Sequence, residues 1–222
     1  MSVKNNVHEG QPLLIQGAPL GEATRAMIFL HGRGASAEDI MQLSDEFKDP
    51  HMAYLAPQAE ANSWYPNRFL METRFNEPWL SSALAVVSGV IQRCLDSGLS
   101  RANIYLAGFS QGACLALEYA ARNPARYGGV FGFSGALIGG ENEERPATTG
   151  SLQETPVFLG CSNTDPHIPA IRVRESAQAL KALGGNVTLK LYPLMGHTIN
   201  DDELTLVRAM MGPNHATTEK AS

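Results

Sequence analysis

Ile104-Tyr105-Leu106-Ala107-Gly108-Phe109-Ser110-Gln111-Gly112 is the stretch on which the reading of this chain turns. The first four residues form an apolar run of strand length. Ala113 to Arg122 follows as a helix-like segment with apolar Cys114, Leu115, Leu117, Tyr119 and Ala120. A G-x-S-x-G pattern set between a strand and a helix is the context of a nucleophile elbow, a strained turn that lifts the serine hydroxyl above the sheet edge. The two glycines lack a Cβ, so neighbouring backbone can approach without a clash. The N–H of Gln111, next along the chain, points to where an oxyanion would form.

The rest of the chain repeats the same alternation. Ala26 to Leu30 reads as a buried strand, Ala37 to Phe47 as a helix capped by Ser36, and Met52 to Ala56 as a short strand. Trp79 to Asp96 is a long helix ending before Gly98. Further strands fall at Gly129 to Phe133, Pro156 to Gly160 and Val187 to Tyr192, with helices at Ile171 to Leu183 and Asp201 to Met211. Leu13 to Gln16 is a candidate edge strand. This order predicts an α/β fold, a mostly parallel central sheet with helices on both faces. No repeat or low-complexity linker interrupts it, so 1–222 reads as one domain with a flexible tail over 213–222.

Composition narrows the function classes. The 222 residues are 44% apolar, enough for a substantial core. A net charge of −5 gives a nucleic-acid role no support. Met1 to Pro12 has no signal-type apolar region, and no run approaches the roughly 18 apolar residues of a membrane span. Cys94, Cys114 and Cys161 are odd in number, far apart and set in apolar surroundings. Free thiols in a reducing cytoplasm are therefore expected, with no disulfide framework, no zinc site and no stable membrane association.

A serine hydroxyl needs a base at neutral pH. His197, in Tyr192-Pro193-Leu194-Met195-Gly196-His197, lies just beyond the last strand, where a loop can swing it over the nucleophile. His8 and His215 are expected in mobile chain ends and His51 in a turn. The chain order serine, acid, histidine selects Asp165, directly after the Pro156 strand in Asp165-Pro166-His167-Ile168-Pro169. Its prolines hold the loop rigid, which suits a carboxylate that orients an imidazole. Asp201 and Asp202 read instead as first-turn helix residues. The second oxyanion donor belongs in His31-Gly32-Arg33-Gly34, after the early strand, with the Arg33 N–H as candidate. His31 reads as a residue that braces this loop. The Arg33 side chain either faces solvent or meets an acidic substrate group.

Two long connections break the rhythm. Pro57 to Pro78 carries Trp64, Tyr65, Arg68, Phe69, Arg74 and Phe75. It reads as a substrate-contacting loop, with Trp64 and Tyr65 in the wall, or as a satellite cluster packed on a helix. Ser134 to Thr155, with Glu141, Glu143, Glu144 and Arg145, reads mainly as solvated surface.

Taken together, these stretches resemble the phospholipase/carboxylesterase family of α/β-hydrolases, which includes acyl-protein thioesterases and small bacterial carboxylesterases. The similarity runs through Phe29-Leu30-His31-Gly32-Arg33-Gly34, Ala56-Pro57 with Ser63-Trp64, the Ser110 elbow, Asp165-Pro166-His167-Ile168-Pro169 and Met195-Gly196-His197. The resemblance implies an α/β-hydrolase fold with no large cap domain and no cofactor. It carries over Ser110, Asp165 and His197 as a triad, and the amides of Arg33 and Gln111 as an oxyanion hole. Arg33 stands where better-known members usually have an apolar residue, and Cys161-Ser162 where they often have His-Gly. Both departures bear on substrate preference.

The expected reaction is acyl transfer from a carboxylic ester, or a thioester, to water. A site without a cap suits a small or medium acyl or aryl ester. Lysophospholipids and acylated proteins enter through the resemblance alone. A dienelactone-hydrolase-like activity is the runner-up; a cysteine nucleophile would favour it, and this elbow has serine. A silent binding module is expected to have lost a triad residue, and this chain keeps all three. An apolar helix face serves a core and a homodimer interface equally, so both states stay open.

Overall fold

The computed structural model describes residues 6–141, 143–145 and 147–212. The tail expected to be flexible lies outside these residues, as does His215. Seven strands form one sheet: β1 (Leu13–Gly17), β2 (Arg25–Leu30), β3 (Met52–Pro57), β4 (Ile104–Phe109), β5 (Gly129–Phe133), β6 (Pro156–Ser162) and β7 (Asn186–Tyr192). The helices are α1 (Ala37–Met41), α2 (Trp79–Asp96), α3 (Gln111–Arg122), α4 (Ala170–Ala182) and α5 (Asp201–Met210).

The strand order is β1-β3-β2-β4-β5-β6-β7. Every neighbouring pair is parallel except β1 with β3. An antiparallel edge strand needs no crossover helix, and none lies between β1 and β2. From β2 the chain moves toward one edge of the sheet, and from β4 toward the other. The turns leaving these adjacent strands therefore diverge and open a crevice at their carboxyl ends, the place where open α/β sheets hold ligands.

Alternation along the buried strands sorts side chains between two cores. Ala26, Ile28 and Leu30 belong to one core with Leu80 and Val87 of α2, Leu115 of α3 and, further along the sheet, Leu180 of α4. Met27 and Phe29 face the other way, toward Ile40 and Met41 of α1 and Leu204 and Val207 of α5. The expected mostly parallel sheet with helices on both faces is thus present. Helix α1 is shorter than the expected 37–47, because Gln42–Phe47 tightens into 3-10 geometry. Its start is as expected: Ser36 accepts from the Asp39 N–H, and the Asp39 carboxylate accepts from the Ser36 N–H in return.

The 134–155 connection is mainly surface over 140–154, as expected, but its first residues, 134–139, turn inward against that reading. Ala136, Leu137, Ile138 and Leu152 are buried, and the polar residues nearby satisfy internal donors. Glu118 of α3, itself buried, accepts from the Ile138 N–H at 3.0 Å and pairs with Arg122 and Arg145. Glu143 accepts from the N–H groups of Thr73 and Gly140, tying this connection to the 57–78 loop.

Candidate active site

Ser110 caps α3 with φ 54° and ψ −117°, a conformation strained for any residue with a Cβ. The flanking glycines show why the chain accepts it. A Cβ on Gly108 would stand 2.4 Å from the carbonyl of Gly112, and one on Gly112 would stand 2.0 Å from the carbonyl oxygen of Leu30. Strand β2, the turn and the first turn of α3 are in contact there, and the bend exists because neither position carries a side chain.

The structure brings Ser110, His197 and Asp165 together from the carboxyl ends of β4, β7 and β6. His197 Nε2 lies 2.8 Å from Ser110 Oγ, and His197 Nδ1 lies 2.7 Å from Asp165 Oδ2. With Nδ1–H donating to the carboxylate, Nε2 is left to accept the serine proton. The rings of Phe109 and His167 pack on the imidazole at centroid distances of 4.9 and 4.8 Å and limit its rotation.

Asp165 has its side chain fully buried. Burial by itself raises a carboxyl pKa, but here four donors oppose it. These are His197 Nδ1–H, the N–H groups of His167 at 2.8 Å and Ile168 at 3.0 Å, and the Cys161 thiol at 3.7 Å. The hydrogen bond from His197 and the two backbone donors win, and the pKa lies below the usual carboxylate value. The 165–168 turn thus keeps its acid ionised without a Lys or Arg cation beside it among the described residues. Burial pushes the Cys161 thiol up to about 12, so it stays a neutral donor.

Two candidate oxyanion donors flank the hydroxyl. Gln111 is the first residue of α3, where an N–H has no intrahelical acceptor. The turn carrying Arg33 runs against the elbow, for a Cβ on Gly32 would lie 3.6 Å from that of Ser110. His31 braces this turn as expected. It is fully buried, its Nδ1 donates to the Gly32 carbonyl at 2.8 Å, and its Nε2 accepts from the Ala59 N–H at 3.1 Å. Burial lowers its pKa, so it stays neutral in this role.

The Gln111 side chain, which carried no role in the sequence reading, joins the elbow to the aromatic loop. Its Oε1 accepts from the Trp64 N–H at 2.9 Å and its Nε2 donates to the Tyr65 carbonyl at 2.8 Å. Above Ser110 the loop forms one side of a cleft of about 640 Å³, lined by Arg33, Tyr65, Arg68, Phe69, Phe109 and His167 among others. Tyr65 lies in this wall, as expected. Trp64 does not: it is fully buried, and its indole N–H donates to the His31 carbonyl at 2.9 Å. Aromatic content marks a loop that packs: Tyr65 is as buried as Trp64 and shares its core cluster, and it differs only in also bordering the cleft.

His8 is a second correction. It is buried rather than loose, its N–H donates to Ser82 Oγ, and its ring bridges the Trp64 carbonyl and the Glu60 N–H. Its ring also sits edge-on to Trp64 and Trp79 at 5.5 and 5.6 Å. The signal was present in the two tryptophans, which need a partner for their edges, but not at any fixed spacing from residue 8. The three cysteines are buried and unpaired. Among the described residues, no helix is long and apolar enough to cross a membrane.

A parallel sheet with a strained serine at a strand-to-helix turn, hydrogen-bonded through histidine to a buried aspartate, defines the α/β-hydrolase class. The phospholipase/carboxylesterase family model matches residues 17–212, and the chain belongs to that family, whose members are carboxylic ester hydrolases. The crystal structure of a phospholipase/carboxylesterase from Dyadobacter fermentans is similar, with a TM-score of 0.87 and 42% identity over 91% of this chain and 96% of that one. Acyl-protein thioesterase 1 of Gibberella zeae is 35% identical over 123 residues, which is 55% of this chain and 52% of the relative's length. The chain thus matches only about half of that relative. Lysophospholipase-like protein 1 of Mus musculus is 24% identical over 209 residues, 86% of this chain and 87% of that protein.

Proposed function

We propose that the chain is a serine hydrolase that cleaves carboxylic esters through an acyl-enzyme. The observation that carries this reading is the hydrogen-bonded line from Ser110 Oγ through His197 to Asp165, opening on the cleft. As Ser110 Oγ attacks the carbonyl carbon, its proton moves to His197 Nε2. The carbonyl oxygen becomes an oxyanion held by the N–H groups of Arg33 and Gln111. Asp165 stabilises the imidazolium. His197 then passes the proton to the departing alkoxide, leaving an ester on Ser110. Water enters, gives a proton to His197 and attacks the acyl carbon. Return of that proton to Ser110 Oγ releases the acid and restores the starting state.

The substrate follows from the cleft. With no inserted cap among the described residues, a small or medium acyl or aryl ester reaches Ser110 from solvent. The relatives' names supply a second reading, in which thioesters or lysophospholipids are cleaved by the same steps. The unpaired buried thiols support a cytoplasmic location.

Incubation with a fluorophosphonate is expected to add one label to the protein, and Ser110→Ala to take up none. Labelling that persists in the alanine variant removes Ser110 from the mechanism. Steady-state rates on p-nitrophenyl esters, acyl-CoA and lysophospholipid then rank the two readings.

A further inference from the structure

We infer that the cleft selects esters bearing a carboxylate on the portion remote from the scissile bond, and that the Arg33 guanidinium is its receptor. This deepens the ester-hydrolase reading and rests on it.

The first observation is charge placement. The chain carries a net charge of −5, yet the residues lining the cleft include Arg33 and Arg68 and no aspartate or glutamate. Elsewhere Arg25, Arg74, Arg122, Arg145, Arg172 and Arg208 each pair with a carboxylate, whereas Arg93, Arg101, Arg126 and Arg174 form no such pair among the described residues, so what distinguishes the cleft is its lack of any acid in the lining. Arg33 and Arg68 have no such partner among the described residues. A cleft with cations of one sign and low-dielectric walls concentrates anions near it.

The second observation is how Arg33 is held. Its Nη1 donates to Ser63 Oγ at 3.1 Å and the Pro66 carbonyl at 2.9 Å, and its Nη2 donates to the Asn67 carbonyl at 2.6 Å. The guanidinium carbon lies 5.9 Å from the Tyr65 ring centroid, over its face. Three of the five N–H donors are thus used, all on neutral acceptors, so the group is fixed in place with its charge uncompensated. The Nε–H and the remaining Nη2–H have no protein acceptor among the described residues. These two donors are left to meet the oxygens of a carboxylate. A cation already ordered by the protein loses little further freedom on binding its anion. Arg68, exposed on the same cleft, adds longer-range attraction.

The alternative is that Arg33 serves only to tie the 63–67 loop to the turn after β2. A tie would affect all substrates alike, whereas a receptor acts on charged ones. The test uses p-nitrophenyl monoesters of dicarboxylic acids from adipate to suberate, each set against the neutral ester of equal chain length. Rates of the full chain are normalised to hydroxide-catalysed hydrolysis, at low salt and at about 0.5 M salt. At least one anionic member is expected to exceed its neutral counterpart by about tenfold in kcat/KM, through KM, with the preference shrinking in salt. Arg33→Gln, which keeps the backbone N–H, should bring that ratio to within about twofold, and Arg33→Lys should retain part of it. Hydrolysis of the neutral esters with no anionic preference in any pair overturns this inference alone. So does an equal loss on both members of every pair in Arg33→Gln. Absence of hydrolysis in both arms, with no fluorophosphonate label on Ser110, overturns the ester-hydrolase reading and this inference with it.

Discussion

The turn after β2 and the loop after β7 each bring a histidine to the same end of the sheet, and the two are put to opposite uses. His31 is fully buried and gives both ring nitrogens to backbone groups, the Gly32 carbonyl and the Ala59 N–H. His197 keeps 19% of its side chain exposed and gives its nitrogens to side chains, the Asp165 carboxylate and the Ser110 hydroxyl. A backbone partner fixes a tautomer but can neither take up nor release a proton in this pH range. A carboxylate on one side and a hydroxyl on the other allow the ring to cycle. The partners, not the histidine or its nearness to the cleft, decide which ring acts as a base.

The largest expected effect separates the two directly. His197→Gln is expected to lower kcat by about 10³-fold or more on p-nitrophenyl butyrate with an unchanged far-UV spectrum. His31→Gln should stay within about tenfold in kcat while losing about 1–3 kcal/mol of stability to urea, because two backbone groups lose buried partners. A selective kcat loss at His31 comparable to that at His197, with the fold intact, would reverse the assignment.

That contrast was largely legible in the sequence, because it depends on local order. The strand ends place residues 31, 110, 165 and 197 at one edge, and the succession serine, acid, histidine narrows the partners. What stayed hidden were contacts made across the chain. Trp64 and Tyr65 are adjacent and both buried, yet only Tyr65 also borders the cleft, and nothing in their composition tells which of them does. His8 sits 56 residues from the carbonyl it meets. The inward course of 134–139 was masked by the acidic residues that follow it.

A second prediction concerns the helix that anchors the His197 loop. Glu203 is fully buried, with Oε2 accepting from the Asn200 N–H in the cap of α5 and Oε1 unpartnered. Gly160 leaves room for it, since a Cβ there would lie 2.0 Å from Oε1. Burial raises the Glu203 pKa from 4.5 to about 7. Between those values the native state holds a proton that the unfolded state has released, so this group's contribution to stability falls as pH rises through the window. The loss amounts to at most about 3 kcal/mol, and Glu203→Gln should abolish it. His31 has the opposite sign. Its pKa is lowered by burial, so below 6.5 the unfolded state binds a proton the native state refuses, and stability falls in acid. Urea titrations at about pH 5 and pH 8 for wild type, Glu203→Gln and His31→Gln measure both slopes. An unchanged slope in Glu203→Gln would remove that carboxyl as the source.

The indole bond to the His31 carbonyl gives a smaller effect. Trp64→Phe should cost about 1–2 kcal/mol of stability through the lost hydrogen bond and reduced packing. Because Trp64 lies behind the turn, any change in kcat/KM should be equal for acetate, butyrate and octanoate esters. A loss that grows with chain length would return Trp64 to the substrate wall.

The smallest effect tests how Asp165 holds His197. Cys161 donates its thiol hydrogen to Asp165 Oδ2, the same oxygen that receives His197 Nδ1–H. At 3.7 Å this is the weakest of the four donors on that carboxylate, and the thiol is neutral, so it adds orientation and little charge. Cys161→Ala leaves both backbone donors to Oδ1 and the imidazole donor to Oδ2, and should lower kcat only about two- to fivefold with KM unchanged. Cys161→Ser restores a donor and should recover part of the loss. Asp165→Asn should instead cost about 10³–10⁴-fold, because the amide either favours the wrong imidazole tautomer or leaves the ring without a charge partner. Parallel kcat measurements on the three variants decide which group sets the ring. If Cys161→Ala falls as far as Asp165→Asn, the thiol is what keeps the carboxylate aligned, and the part assigned to the two backbone N–H groups of the 165–168 turn has to be given up.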